Sequence, residues 1–352
     1  MNLKNINFID IFKKAFFSIA FIFPLVLSMG VCSNAGAFWG CLATVVLSLF
    51  IKKSEEKNLM PVLLNFSIIS FLLIKFGYLS AVIALIVSGI IFCFGYKFYK
   101  YIEKLSDSTF ISGLMLATAL VVTVLQTTNY FGIGAIGNTA REMIESYISL
   151  GFHGNWRGVL YGTIVLVVMI TYPRKFKKTS KIIHGSFIAL IICVILNLFL
   201  NPPDLITSIN EISTLQINKN YNLNLSIHGA IFSVACGIII SISNIFIIKN
   251  EKPNNKTFIK NGIANIFLAP ILCFVPQKFD KSAIKNIPFA ALTALIIFFL
   301  KDLIIRIPVH SCAVILIVYA WQAVKWKRLK EVFKNPISVL LFLLPISIFL
   351  LF

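Results

Sequence analysis

Charged side chains interrupt the apolar sequence between residues 276 and 287, which read PQKFDKSAIKNI. Lys278, Asp280 and Lys281 lie within four residues, and Ser282 adds a hydroxyl donor beside them. If these two lysines and the aspartate lie in one cavity, their net charge of +1 favours a monovalent or divalent anion. Charges inside a membrane are costly enough to indicate function. The alternative for the segment is a solvated loop, and the alternative for Asp280 is that it simply pairs with Lys278 or Lys281.

Residues that could support an enzyme or a metal site are not grouped in this sequence. The seven cysteines lie singly in apolar stretches, with no CxxC pair and no histidine at ligand spacing. No catalytic Ser-His, His-Asp or HExxH arrangement is found. We therefore predict that the chain is not an enzyme and holds no metal or cofactor.

The composition is typical of a membrane protein. Of the 352 residues, 58% are hydrophobic and only 13% are charged, and the mean hydropathy is +0.90. A bilayer-spanning helix needs about 20 apolar residues, because every backbone amide must be paired inside the segment. The sequence predicts an all-α integral membrane protein with about 12 to 14 transmembrane segments and no soluble domain. The net charge of +19 then indicates topology and not nucleic-acid binding.

Apolar runs give the positions of the predicted spans, which lie close together along the chain. They cover residues 15–31, 37–51, 60–76, 79–96, 109–128, 157–172, 182–200, 227–248, 258–275, 288–304, 307–324 and 336–352, with the polar segment 276–287 between two of them.

Lysine and arginine are concentrated in every second gap between spans, as expected of cytoplasmic loops. These gaps contain Lys52, Lys53, Lys57, Lys97, Lys100, Lys104, Arg174, Lys175, Lys177, Lys178, Lys181, Lys249, Lys252, Lys256, Lys260, Lys325, Lys327, Arg328, Lys330 and Lys334. The opposite gaps 129–156 and 201–226 contain only Arg141 and Lys219 as basic residues. The pattern predicts a multi-pass protein with a cytoplasmic N terminus and a retained first helix. The composition favours a bacterial inner membrane.

Two short segments begin with a proline, which suits the first turn of a helix. Segment 60–76 contains Pro61, and segment 276–287 opens with Pro276. Each lies near the third span of its half of the chain. Short, proline-marked segments at corresponding positions indicate an inverted-repeat transporter whose half-helices meet at the middle of the membrane.

The span ISGLMLATALVVTVLQTTNYFGI (111–133) begins Ser112-Gly113 and carries Gln126. The stretch NGIAN (261–265) is followed by Pro276, and KFDKSAIK (278–285) and the late span IPVHSCAVILIVYAWQAV (307–324) come after it. These stretches resemble the SulP family, the sulfate permease and prestin-type anion transporters. The first is similar to the fifth span of that family, NGIAN is similar to its Gln-Gly-Leu-Ala-Asn motif, and the other two resemble later family segments.

This resemblance implies a seven-plus-seven inverted repeat with a core and a gate domain, the first repeat covering residues 1–200 and the second 201–352. It implies a secondary transporter, such as a symporter, that holds a small inorganic or carboxylate anion between the N-termini of the two half-helices. Helix N-termini favour an anion because their amides are unpaired and partly positive. The implied substrate-binding residues are Pro61, Val62, Leu63, Ser241, Ser243, Pro276, Phe279, Lys281 and Ser282, and Asp280 is a candidate for coupling.

The sequence also departs from the family pattern. In the family's first span a glutamine follows the proline, whereas Leu25 follows Pro24 here. The family's Thr-Gly before the second half-helix is also absent, since Gln277 follows Pro276. Ser241 and Ser243 replace the usual carboxylate of the eighth span. The sequence ends at Phe352 without a further span or the family's cytoplasmic STAS domain, so a homodimer or a partner subunit is a further expectation.

Because of these differences from the family pattern, two other functions stay open. One is a degenerate membrane subunit or scaffold without transport of its own. The other is a nucleobase-type permease of the same fold, which would need carboxylates on the eighth and tenth spans. Apart from its anion, the chain is expected to contact membrane lipid and no nucleic acid.

Thr118, Thr123 and Gln126 are polar residues inside the apolar span 109–128. In a bilayer such side chains either bond to neighbouring helices or line an aqueous path. For Gln126 we favour the structural role. Ala117 and Ala119 allow close approach of another helix.

Overall fold

A computed structural model gives the architecture of the chain. It describes residues 11, 12, 15, 16, 19, 60–106, 109–133, 140–151, 153–181, 183–200, 225–248, 255–271, 291, 292, 295, 296, 299, 307–324, 326, 332, 333, 336, 339, 340, 342, 343, 346 and 347. Within these residues the secondary structure is helical and contains no strand.

Nine α-helices have bounds within the described residues. They are α1 (Met60–Phe76), α2 (Tyr78–Ser106), α3 (Thr109–Phe131), α4 (Ala140–Leu150), α5 (Trp156–Lys175), α6 (Gly185–Leu200), α7 (Ile227–Ile248), α8 (Asn255–Leu268) and α9 (Val309–Ala323). A 3₁₀ turn at Thr179–Lys181 precedes α6, and another at Ala269–Ile271 extends α8.

The predicted spans coincide with helices wherever the structure describes the chain. Two of them, 60–76 and 227–248, match α1 and α7 to the residue. The prediction for α2 was too short, since the helix continues past residue 96 to Ser106 and carries the basic residues that were placed in a gap. Long basic side chains tolerate this position because they can extend from a helix end to water.

Helix α4 was missed, because residues 129–156 were interpreted as a connecting gap. Its apolar residues Met143, Ile144, Tyr147 and Ile148 recur three to four positions apart, which is the period of an amphipathic helix. The helix has too few residues to span a bilayer.

Three of the described helices are long and apolar enough to cross a membrane, over Tyr78–Tyr99, Ser112–Phe131 and Trp156–Lys175. Shorter apolar stretches lie at Leu63–Leu73, Gly185–Phe199, Ile227–Ile242, Phe258–Leu268 and Val309–Ala323. Large apolar side chains on these helices are exposed, among them Phe199, Ile231 and Phe267. Such exposure is expected where lipid and not water is the solvent.

The helices form two packing groups. In the first group α2 packs along α7 and α8, and α1 packs against α2 and α7. In the second group α9 packs along α3 and α5, and α5 packs along α6. Each group has its own buried apolar cluster, the first around Ile69 and Leu85 and the second around Val165 and Ile315.

Small residues bring the helices of the first group close together. A β-carbon at Gly262 of α8 would lie 2.6 Å from the carbonyl oxygen of Gly89 in α2. A β-carbon at Gly237 of α7 would lie 2.7 Å from the carbonyl oxygen of Ala84. These distances leave no room for a side chain, so glycine is required at both crossings. Close approach through small residues is the usual way in which helices associate in a bilayer.

Candidate functional site

Helix α1 begins where the two packing groups meet. The helix belongs to the first group, yet it also contacts α3 and α9 of the second. Leu63, in its first turn, is fully buried in the cluster of the second group, while Leu64 lies in the cluster of the first. The first turn contains no acidic residue. Its amides therefore keep the positive end of the helix dipole at the boundary between the groups.

For the other two residues predicted for the first half-helix, the structure gives the backbone position. Pro61 and Val62 lie in the first turn of α1, beside Leu63. Proline is tolerated there because the first amides of a helix have no partner inside it.

The predicted second half-helix lies outside the described residues. This applies to Pro276, Phe279, Asp280, Lys281 and Ser282, whose roles stay predictions.

Ser241 of α7 is a fully buried hydroxyl without a hydrogen-bond partner. Ser233, two turns earlier and equally buried, donates to the carbonyl oxygen of Gly229 over 2.6 Å. The two serines therefore differ in whether their hydroxyl is used within the helix. Ser243 lies on the same helix, two residues beyond Ser241.

Other unpartnered polar groups lie at the same level of the first group. Helix α7 runs parallel to α2, because Gly229 lies against Ser80 and Gly237 against Ala84. Ser241 therefore lies one turn further along α7, near the level of Ser88. The hydroxyl of Ser88 is also buried and unpartnered. Ser88 stands in the middle of the apolar span Tyr78–Tyr99. An unpaired polar group at such a depth costs free energy, which favours a functional role.

The Asn-Gly-x-Ala-Asn stretch, which resembles the family motif, forms the second turn and middle of α8. Gly262 provides the close contact with Gly89, which explains the glycine. Asn261 and Asn265 are buried, and the side-chain oxygen of each has no hydrogen-bond partner. The packing role of Gly262 depends on α2, so it could not be deduced from the sequence of α8 alone.

All three polar residues noted in the span 109–128 bond within α3 or to a neighbouring helix. Thr118 donates to the carbonyl oxygen of Leu114 over 2.9 Å, and Thr123 accepts a bond from the indole of Trp321 in α9. Gln126 is buried, and its side-chain oxygen accepts a bond from Asn129. These contacts fit the structural alternative.

Two histidines have environments that the sequence did not indicate. Nδ1 of His184 lies 3.0 Å from the hydroxyl of Ser186 and 2.9 Å from that of Tyr319, which joins the start of α6 to α9. His310, at the start of α9, is buried, and neither ring nitrogen has a hydrogen-bond partner. Its ring packs against Gly158 at the start of α5.

No cluster of three or more histidine, cysteine, aspartate or glutamate side chains suited to a metal occurs in the part of the chain that the structure describes. Cys93, Cys193, Cys236 and Cys312 are free thiols there.

No protein-family model matches the sequence, and no curated protein matches it significantly. Solved structures do resemble the fold. The transmembrane domain of the cyanobacterial bicarbonate transporter BicA matches with a TM-score of 0.70 at 14% identity, covering 100% of this chain and 97% of that domain.

SLC26A9 also matches. One structure of it gives a TM-score of 0.51 at 13% identity, covering 90% of this chain and 60% of the other. The murine SLC26A9 anion transporter, in its inward-facing state, gives 0.56 at 12% identity, covering 94% and 65%. The predicted all-α membrane fold is thereby confirmed, and the chain has the fold of the BicA transmembrane domain.

Proposed function

We propose that this protein is a secondary transporter of a small anion. The observation that carries the proposal is the likeness to the BicA transmembrane domain over 97% of that domain. BicA is a bicarbonate transporter, and the murine SLC26A9 structure is described as an anion transporter. We infer the same class of cargo here, with bicarbonate, sulfate, chloride and dicarboxylates as the candidates.

The position of α1 supports this function. Its first turn, with Pro61, Val62 and Leu63, lies at the boundary between the two packing groups. An anion held there would contact both groups, so movement of one group against the other would carry it across the membrane. The unpaired amides of the turn attract an anion without a fixed cation.

The remaining site residues belong to the proposal and follow from the sequence. Segment 276–287 would supply the opposing helix N-terminus with Pro276, Phe279, Lys281 and Ser282, and α7 would add the hydroxyls of Ser241 and Ser243. Asp280 is the candidate for coupling to a cation gradient. The buried, unpartnered hydroxyl of Ser241 supports its assignment.

The arrangement in the cell is inferred in the same way. We place the protein in the bacterial inner membrane with its N terminus in the cytoplasm, because the basic gaps alternate. Residues 1–200 and 201–352 form the two repeats, and the working unit is a homodimer or includes a partner subunit.

Uptake into proteoliposomes tests the function directly. Purified protein would be given radiolabelled bicarbonate, sulfate, chloride, fumarate or uracil, with and without a pH or sodium gradient. Saturable uptake of one anion is the expected result. Uptake of uracil alone would indicate the nucleobase permease, and no uptake by folded protein would favour the subunit or scaffold.

A pair of serine variants on α7 tests the site. Ser241→Ala removes an unpartnered hydroxyl and is expected to raise the KM for the anion. Ser233→Ala is the matched control, because it removes an equally buried hydroxyl that is already bonded within α7. Equal effects of the two substitutions would argue against a role of Ser241 in binding.

A further inference from the structure

The side chain of Tyr147 joins α4 to α3. The tyrosine is 3% exposed. Its hydroxyl donates to the carbonyl oxygen of Val124 over 2.7 Å and accepts a bond from the amide of Thr128 over 3.1 Å. On the outward side of α4, by contrast, Ile144 and Ile148 are exposed.

These two backbone groups have a particular relationship to each other. In an undisturbed α-helix the amide of residue 128 bonds to the carbonyl of residue 124, four positions earlier. The hydroxyl of Tyr147 occupies both ends of that bond. The successive hydrogen bonds between each amide and the carbonyl four residues earlier form the backbone ladder of a helix. Insertion of a side chain into this ladder is a recognised cause of helix bending.

Threonine side chains near this point of α3 also form hydrogen bonds with backbone carbonyl oxygens of the helix. Thr123 and Thr127 donate to carbonyl oxygens four residues earlier, over 2.7 Å in each case, and Thr128 donates to that of Leu125 over 3.0 Å. The amide of Ile133 bonds to the carbonyl of Thr128, five residues back. Threonine bonds of this kind weaken and bend helices. Such bonds are therefore concentrated in the segment from 123 to 133 of the α3 hydrogen-bond ladder.

Helix α3 is positioned to transmit a bend. It packs along α9 and against α5 in the second group, and it also contacts α1 and α2 of the first. A change of direction near Thr128 would shift the C-terminal part of α3 relative to the part that faces α1.

We propose that Tyr147 is a positioning residue for transport, whose hydroxyl holds the α3 ladder open between Val124 and Thr128 so that α3 bends there during the transport cycle. The inference rests on the proposed transport function. The tyrosine touches no substrate and acts through α3.

The hydroxyl keeps its proton in this position. Burial raises the pKa of Tyr147 from its ordinary value, and the bond from Thr128 offsets only part of that effect. The neutral form, which can donate to Val124, therefore persists throughout the physiological pH range.

Hydrogen–deuterium exchange of the full chain in lipid nanodiscs tests the open ladder without reference to transport. Tyr147→Phe keeps the ring but lets the amide of Thr128 pair with Val124. Peptides covering residues 124–131 are expected to exchange about fivefold more slowly, the factor that one net hydrogen bond represents. Unchanged or faster exchange in α3 would mean that the hydroxyl only tethers α4, and would overturn the proposal.

Tyr130→Phe is the matched control. Its hydroxyl lies 3.2 Å from that of Thr163 and bonds to no backbone group of α3. The substitution removes a tyrosine hydroxyl from the same helix region without altering the ladder, so exchange of residues 124–131 is expected to stay as in the unmodified protein.

Anion uptake by the same variants tests the link to transport. Tyr147→Phe is expected to lower the turnover about fivefold with an unchanged KM, and Tyr130→Phe to leave both unchanged. Slow exchange together with normal turnover would contradict the role in transport. If the unmodified protein transports none of the anions, the proposed function fails, and the exchange experiment still decides whether the ladder is held open.

Discussion

The indole nitrogen of Trp321 donates a hydrogen bond of 2.9 Å to Oγ1 of Thr123 and so joins α9 to the middle of α3. Thr123 in turn donates to the carbonyl oxygen of Ala119, so its hydroxyl both accepts and donates a hydrogen bond. This bond gives a structural reason for a threonine inside an apolar span. It also links the two helices that pack most extensively in the second group.

A double-mutant cycle measures this link. Trp321→Phe and Thr123→Val each remove one partner of the bond. Thr123→Val leaves the indole N–H unpaired and is expected to destabilise the protein by about 1 to 2 kcal/mol, whereas Trp321→Phe should cost less for hydrogen bonding, because Thr123 still donates to Ala119. The coupling between them should be about 0.6 kcal/mol, the average for such bonds in membranes. Thermal unfolding in detergent gives the values, and additive effects would show that the bond contributes nothing.

Trp326→Phe is the control for that cycle. Trp326 stacks on Trp321, and its indole bonds to a backbone oxygen at the exposed end of α9. We expect a smaller loss of stability and no coupling with Thr123→Val.

The contact between Gly158 and His310 predicts that a smaller side chain at position 310 relieves the loss of stability caused by a larger one at position 158. A β-carbon at Gly158 would lie 1.9 Å from Nε2 of His310, so Gly158→Ala is expected to destabilise the protein by about 1 to 3 kcal/mol through overpacking. In a His310→Ala background the same substitution should cost little. Persistence of the full loss in that background would disprove the steric explanation.

The close crossing of α2 and α8 predicts a second loss of stability, which no side-chain substitution relieves. A β-carbon at Gly262 would lie 2.3 Å from Sγ of Cys93 and 2.6 Å from a backbone oxygen of α2. Because backbone cannot rotate away, Gly262→Ala should separate the helices and cost about 3 kcal/mol. Ile263→Ala, on the exposed face of the same helix, should have little effect in the same unfolding assay.

Lys281→Gln tests the predicted second half-helix. Removal of a charged hydrogen bond to the anion, worth about 1.5 to 3 kcal/mol, should weaken anion binding by about ten- to a hundredfold. Isothermal titration in detergent gives the affinity. Lys285→Gln, four residues further along the same segment, is the control, and equal affinities in both variants would show that Lys281 does not bind the anion.

The positions of the spans could be predicted from the sequence because they depend on a local property, the length of an apolar run. Helices α1 and α7 matched their predicted bounds for this reason. The resemblance of short motifs also led to the right fold class. Helix α4 was missed because this amphipathic helix of 11 residues is shorter and less apolar than a span.

The candidate site could be predicted only in part. The sequence indicated the proline-marked start of α1, but it did not indicate that Leu63 and Leu64 face different packing groups. It named Ser241 without showing that this hydroxyl, unlike that of Ser233, has no partner. The roles of residues 276–287 rest on the sequence alone.

Composition and hydrophobic length by themselves determined that this chain is helical, membrane-embedded and divided into spans, because the bilayer imposes those limits on each segment separately. Tertiary structure decided which helices meet and what their polar residues do. The contacts of Trp321 with Thr123, of Gly262 with Gly89 and of Tyr147 with the α3 ladder join residues far apart in the chain. Such contacts depend on the relative positions of two helices, which no single segment specifies.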